Sequence, residues 1–303
     1  MLAWTHAACL AHDTGPDHPE RPARLQSVMD ALQQHCPTLE WREAPAARRG
    51  DLCRVHTAAM VDQVLAPVTS GIHHLDAETM VSCGSARAAV HAAGAGIAAV
   101  DAVMAGPQRV AFCAVRPPGH HATEDTPMGF CLLNNIAVAA AHALDQHGLE
   151  RVAIVDFDVH HGNGTQAIFR DEPRVAYFST HQSGLYPHTG HGRERGLGNL
   201  HNVLLPPGSG GFRFRNTWAD NLLPMLDDLR PQLLLVSAGF DAHLADPLAD
   251  LMLDAGDFAW LSAELLAIAQ RHGQGRVVSM LEGGYHLDAL AECSVAHVQA
   301  LGG

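Results

Sequence analysis

Five short apolar runs constrain this chain more than any other feature: Val110–Val115, Val152–Phe157, Val175–Ser179, Leu233–Ser237 and Val277–Leu281. Each leads into a stretch rich in Gly, His or Asp. Between them lie Ala- and Leu-rich helical patterns at Ser85–Met104, Ile136–Gln146, Trp218–Leu229 and Asp257–Gln270. Runs that are apolar throughout, without alternating polar residues, belong to strands covered on both faces. Parallel strands need crossovers of a dozen or more residues, which the helical segments supply. The fold class is therefore α/β, with helices on both faces of a mostly parallel sheet. Over 303 residues there is no internal repeat, low-complexity tract or linker, so the chain reads as one domain spanning 1–303.

In such folds the ligand crevice lies beyond the carboxyl ends of the strands. Those ends read Arg116-Pro117-Pro118-Gly119-His120-His121, Asp158-Val159-His160-His161-Gly162-Asn163-Gly164, Ala238-Gly239-Phe240-Asp241 and Glu282-Gly283-Gly284-Tyr285. Asp158 and His160, two apart in extended backbone, leave the same face. With Asp241 from another strand end they make a three-ligand set with an open position, the layout of a catalytic metal site. Zinc is the first choice, and two carboxylates with one imidazole also suit Fe(II), Co or Mn. Taken alone, Asp-x-His is more often a helix-capping Asp and a hydrogen-bonded core histidine than a ligand pair.

Adjacent histidines in a Pro/Gly turn are either exposed or a functional pair. In the functional reading Asp156 holds one of His120 and His121 in its charged form. Asn163 leaves the other neutral, as a general base. The two glycines before Tyr285 let the loop carry its hydroxyl over the metal as an oxyanion donor, or merely make a turn. Gly129-Phe130 and Leu185-Tyr186 supply rings for a narrow apolar tunnel, or for ordinary packing. Loops 13–22, 181–201 and 205–216, rich in Gly, Pro and His, are candidates for its rim.

Composition narrows the partners. There are 22 His against 19 Lys+Arg, and the formal net charge is −13, which disfavours a nucleic-acid binder and suits a cationic substrate. The seven cysteines show no Cys-x-x-Cys pairing and read as reduced, mostly buried thiols, which points to the cytoplasm. The first residues lack the basic and apolar regions of a secretory signal, and no apolar run reaches the ~20 residues of a membrane span. No membrane association is expected, and a homo-oligomer stays open.

Together the motifs resemble the histone deacetylase family, which includes acetylpolyamine amidohydrolases and acetoin-utilisation proteins. They are His-Pro-Glu-Arg-Pro-Ala-Arg-Leu (18–25), Arg-Pro-Pro-Gly-His-His (116–121), Gly-Phe-Cys-Leu-Leu-Asn-Asn (129–135), Asp-Phe-Asp-Val-His-His-Gly-Asn-Gly-Thr (156–165), Ala-Gly-Phe-Asp (238–241) and Glu-Gly-Gly-Tyr (282–285). The resemblance implies an arginase-like, three-layer fold around an eight-stranded parallel sheet, of which the runs above supply five strands. It implies Asp158, His160 and Asp241 as zinc ligands, with Fe2+ or Co2+ as alternatives. His121 would be the general base and acid, His120 with Asp156 an electrostatic partner, and Tyr285 the oxyanion donor. Gly129, Phe130, Tyr186 and Leu248 would line the substrate tunnel. A potassium ion is implied near Asp156, Asp158, the His160 carbonyl and the Ser179 hydroxyl.

Asn163 resembles the class II-like and bacterial branch, where class I members have Asp. Tyr285 stands where low-activity members have His. Leu248 replaces the Glu gatekeeper of the polyamine deacetylase branch, which favours an acetylated lysine protein or peptide over an acetylated polyamine. The expected reaction is hydrolysis of an N-acetyl-lysine amide, and the runner-up is acetylpolyamine hydrolysis. A non-catalytic acyl-ligand sensor and a binuclear manganese hydrolase are the remaining alternatives. Arg21 and Arg24 are candidates to assist acetate release, although a surface salt bridge accounts for them more simply.

Overall fold

The computed structural model describes residues 1–303. Its strands are β1 (Leu2–Thr5), β2 (Glu40–Glu43), β3 (His73–His74), β4 (Met80–Val81), β5 (Val110–Cys113), β6 (Val152–Asp156), β7 (Val175–Gln182), β8 (Leu200–Leu205), β9 (Leu233–Ala238) and β10 (Val277–Leu281). Its helices are α1 (Pro22–His35), α2 (Arg49–Leu52), α3 (Ala58–Val64), α4 (Ser85–Ala105), α5 (Asn135–His147), α6 (Asn163–Phe169), α7 (Gly211–Thr217), α8 (Leu223–Leu229), α9 (Ala255–His272) and α10 (Leu287–Ala300).

Eight strands form one sheet in the order β2-β1-β5-β10-β9-β6-β7-β8, with every pairing parallel. The β3–β4 pair is a separate antiparallel hairpin. Helices α4 and α5, with α2 and α6, form one layer, and α1, α10, α9, α8 and α7 form the other. This is an arginase-like three-layer α/β fold.

The five expected strands are present, and the three others have local reasons for escaping notice. β2 is an edge strand of Glu40-Trp41-Arg42-Glu43, largely exposed, the polar and short kind that resists pairing with other chains. β8 is the opposite edge, and β1 has four residues. β7 runs three residues past Ser179, because Thr180, His181 and Gln182 pair with Val203, Leu204 and Leu205. The segment 218–229 contains a wide turn over Trp218–Leu222 before α8 begins. Helix ends follow local chemistry. Asn134 caps α5 through Ala137 N–H, left-handed Gly148 closes it, and Asp254 and Asp257 make a reciprocal capping box on α9. At 21 residues α4 has the length and apolarity to cross a membrane, a property the sequence reading missed. It packs instead against α5, β5 and β1.

Several histidines are core residues. His297 lies between the Ser262 and Ser279 hydroxyls at 2.6 and 2.7 Å. His56 contacts the Thr123 carbonyl through Nδ1 at 2.8 Å and accepts from Asn134 N–H through Nε2, which requires the neutral ring. Burial lowers the pKa of His12 and His56 to about 4, and of His181 and His297 to about 3. The unfolded chain binds these protons near 6.5 and the folded chain does not. Stability from these groups is therefore intact above 6.5 and is lost as pH falls from 6.5 toward 4. The loss is about 1.4 kcal/mol per pH unit for each histidine. The melting temperature should fall steeply across that window, and a flat profile between pH 7 and 5 contradicts this account.

Candidate active site

The neighbouring strands β5, β10, β9 and β6 all end at one edge of the sheet. Beyond β6 the chain carries Asp158 and His160, beyond β9 Asp241, beyond β10 Tyr285, and beyond β5 His120 and His121. His160 Nδ1 lies 3.1 Å from Asp158 Oδ1 and 3.1 Å from Asp241 Oδ2. All three residues are buried. Burial opposes charge on His160, yet the two carboxylates outweigh it and raise its pKa to about 10. Burial and the nearby Asp158 push the Asp241 carboxyl up to about 7. So much negative charge around one point calls for a cation. With the ring deprotonated the set offers one nitrogen and two oxygen ligands, which suits a first-row divalent metal.

Backbone groups aim these ligands. Gly283 N–H donates to Asp158 Oδ2 at 2.8 Å, His160 N–H to Asp158 Oδ1 at 2.9 Å, and Val159 N–H to Asp241 Oδ1 at 2.9 Å. A Cβ at Gly239 would fall on the Asp158 carboxylate, and one at Gly283 on that of Asp241, so both positions demand glycine.

The two histidines of the pair are buried, which rules out an exposed turn, and their rings lie 4.0 Å apart. His120 Nδ1 donates to Asp156 Oδ2 at 3.0 Å. Burial opposes its charge, but Asp156, Asp158 and Glu282 hold its pKa well above the usual imidazole value. His121 Nδ1 donates to Asn163 Oδ1 at 2.8 Å, and the Asn163 amide nitrogen donates back to the His121 carbonyl at 3.3 Å. That pairing fixes the tautomer and leaves Nε2 as a bare acceptor. Burial, then the charges on His120 and His160, push its pKa well below the ordinary value. One ring is thus built to stay charged and its neighbour to stay neutral.

A cavity of about 370 Å³ leads down to these groups, lined by Gly129, Phe130, Tyr186, Leu248, His121, His160 and Tyr285 among others. His121 and Tyr186 meet edge to face at 5.2 Å, and Phe130 and Tyr285 at 5.8 Å. Burial holds the Tyr285 phenol well above its usual pKa, so it keeps its proton. Its hydroxyl has no hydrogen-bond partner within the protein.

A model of the histone deacetylase domain matches residues 18–301. The chain belongs to the histone deacetylase family. It is 41% identical to a histone deacetylase-like amidohydrolase of Pseudomonas aeruginosa, over 95% of this chain and 77% of that protein. It is 38% identical to the human polyamine deacetylase HDAC10, over 93% of this chain and 44% of that protein. The solved HDA15 HD domain superposes with a TM-score of 0.92 at 33% identity, covering 99% of this chain and 89% of that one. The deacetylase is accordingly a hydrolase with the fold of its family.

Beneath the site of this deacetylase lies a layer of buried charge that the sequence reading passed over. Glu20 bridges Arg116, at 2.5 and 2.7 Å, and Arg24, at 3.0 Å, and all three are fully buried. Arg24 donates onward to the Gly284 and Glu282 carbonyls, and its guanidinium sits 4.8 Å above the Tyr285 ring. A surface salt bridge is therefore wrong for Arg24, while Arg21 is exposed. Asp246 Oδ2 accepts from Tyr285 N–H at 2.7 Å, and Glu282 Oε2 accepts from Gly119 N–H at 2.6 Å. All but Asp246 sit inside or beside the quoted motifs, but nothing in a motif reveals that an Arg points inward. The tunnel also takes Ala77, Glu78 and Met80 from the β3–β4 hairpin, a segment without an apolar pattern. Loop 205–216 does not reach the tunnel, whereas 13–22 contributes His18 and Pro19. Glu20→Ala should strand two buried guanidinium groups and cost about 3–5 kcal/mol. Denaturant unfolding measures this, and a change below 1 kcal/mol would remove the network from the account.

Proposed function

We propose that the protein is a zinc-dependent deacetylase that hydrolyses N-acetyl-lysine side chains in proteins or peptides. The carrying observation is the neutral, acceptor-poised His121 beside a buried Asp-His-Asp set, at the foot of an apolar cavity that Tyr285 closes. Asp158, His160 and Asp241 would hold the divalent ion. Bound there, that ion supplies Lewis acidity to the acyl carbonyl and acidifies water to a pKa of ~7.

The chain's own groups do the rest. Phe130 and Tyr186 flank the lysine methylenes and keep bulk water out. His121 Nε2 takes the proton of the attacking water, whose oxygen bonds to the acyl carbon. His121 then returns that proton to the amine as the amide C–N bond breaks, releasing acetate. His120, kept charged by Asp156, stabilises the negative charge that builds up. The Tyr285 hydroxyl donates to the oxyanion. A potassium ion would rest on Asp156, Asp158, the His160 carbonyl and Ser179, and it is supported by the burial of Asp156 and Ser179 as register partners on β6 and β7.

The neutral Leu248 in the tunnel wall favours lysine over an internally charged polyamine. The seven free cysteines suit a reducing compartment such as the cytoplasm. All 19 basic residues are arginines, so the enzyme carries no lysine of its own to serve as substrate. Acetylpolyamine hydrolysis is the second reading, favoured by the acidic residue Glu78 among those lining the cavity.

Tyr285→Phe should keep its metal and lose about 10²–10³ in kcat on an acetyl-lysine peptide. Near-native turnover would remove Tyr285 from the mechanism. Comparing kcat/KM on that peptide and on acetylspermidine decides the substrate class. If the polyamine is preferred, Glu78→Gln should abolish the preference.

A further inference from the structure

The parallel strands start at the edge of the sheet opposite the catalytic groups. There α4 and α5 end and hand the chain to β5 and β6. At that place a second set of ligating side chains converges. His142 Nε2 lies 2.7 Å, and His147 Nε2 2.8 Å, from the same oxygen, Asp101 Oδ1. Asp101 belongs to α4 and both histidines to α5, and their rings stand at 72° to one another. We propose that Asp101, His142 and His147 form a second divalent-cation site, a two-histidine, one-carboxylate face for a zinc-like ion with water in the open positions.

Donor chemistry, electrostatics and access all point this way. Imidazole nitrogen with carboxylate oxygen is the ligand mixture that borderline first-row ions prefer. All three ligand atoms lie within 4.8 Å of one another. Seating an ion at ~2.0–2.1 Å from each donor requires the present contacts to open by roughly half an ångström. Asp101 can make that shift, because its side chain is 54% exposed while the histidines are 10% and 22% exposed. His147 is the last residue of α5, where unpaired carbonyls gather partial negative charge and favour a cation, and Asp101 lies just before the last turn of α4. The exposed carboxylate gives the ion a way in. A strand length, roughly 15 Å, separates the place from the catalytic edge. An ion held there would clamp α4 to α5 without touching substrate.

The test is metal stoichiometry of the whole protein after chelation and titration with zinc. Wild type should take two equivalents, and His147→Ala should take one while keeping wild-type turnover on an acetyl-lysine peptide. Asp101→Asn, which preserves shape, should weaken the second equivalent by at least the ~10–100-fold typical of losing a supporting partner. In an Asp241→Asn background, one equivalent should remain and should disappear when His147→Ala is added. Uptake of a single equivalent by wild type, or of two by folded His147→Ala with unchanged affinity, overturns the proposal.

Discussion

Two buried carboxylates facing one imidazole are the constraint around which the rest of the deacetylase is arranged. Asp158 and Asp241 carry more negative charge to the end of the sheet than a buried site tolerates without a cation. Backbone N–H groups of Val159, His160 and Gly283 take up their remaining lone pairs, which forces close approaches that only Gly239 and Gly283 allow. The charge also reaches outward. It helps hold His120 protonated, and the positive field of His120 helps keep His121 neutral. The division of labour between two identical, adjacent side chains is therefore electrostatic in origin and not a matter of reach.

A second, oppositely built charge cluster supports the first. Glu20 bridges Arg24 and Arg116 where none of the three sees water, which leaves the cluster with one net positive charge. Arg24 then grips the carbonyls of Glu282 and Gly284 on either side of the glycine that touches Asp241. The loop that presents Tyr285 is thus tied to the N-terminal segment and, through Asp246, to the loop after β9. A mobile glycine-rich loop would place the phenol poorly, and these ties substitute for the rigidity that its glycines lack.

Much of the fold was legible because central strands buried on both faces cannot hide their apolarity. The five runs found by inspection are β5, β6, β7, β9 and β10, each largely or wholly buried. The strands that escaped notice, β1, β2 and β8, are short or lie at an edge, where polar residues are favoured. The candidate ligands were legible for a related reason: they follow directly on strands whose ends the sequence marks. The cavity-lining residues Glu78 and Met80 were not legible, since the two-residue pairing of their hairpin leaves no period in the chain.

The sequence by itself determined the chemical inventory of the site and the end of the sheet at which it would lie, because strand period and strand ends are local properties. It also carried the excess of histidine without telling its uses apart. Tertiary structure alone decided that β10 and β9 insert between β5 and β6, which brings four distant strand ends together. It decided, too, that Arg24 turns inward, that His297 and His56 stay neutral in the core, and that His142 and His147 meet Asp101. Burial and the identity of facing charges set each of these outcomes, and both are properties of packed neighbours far apart in the chain.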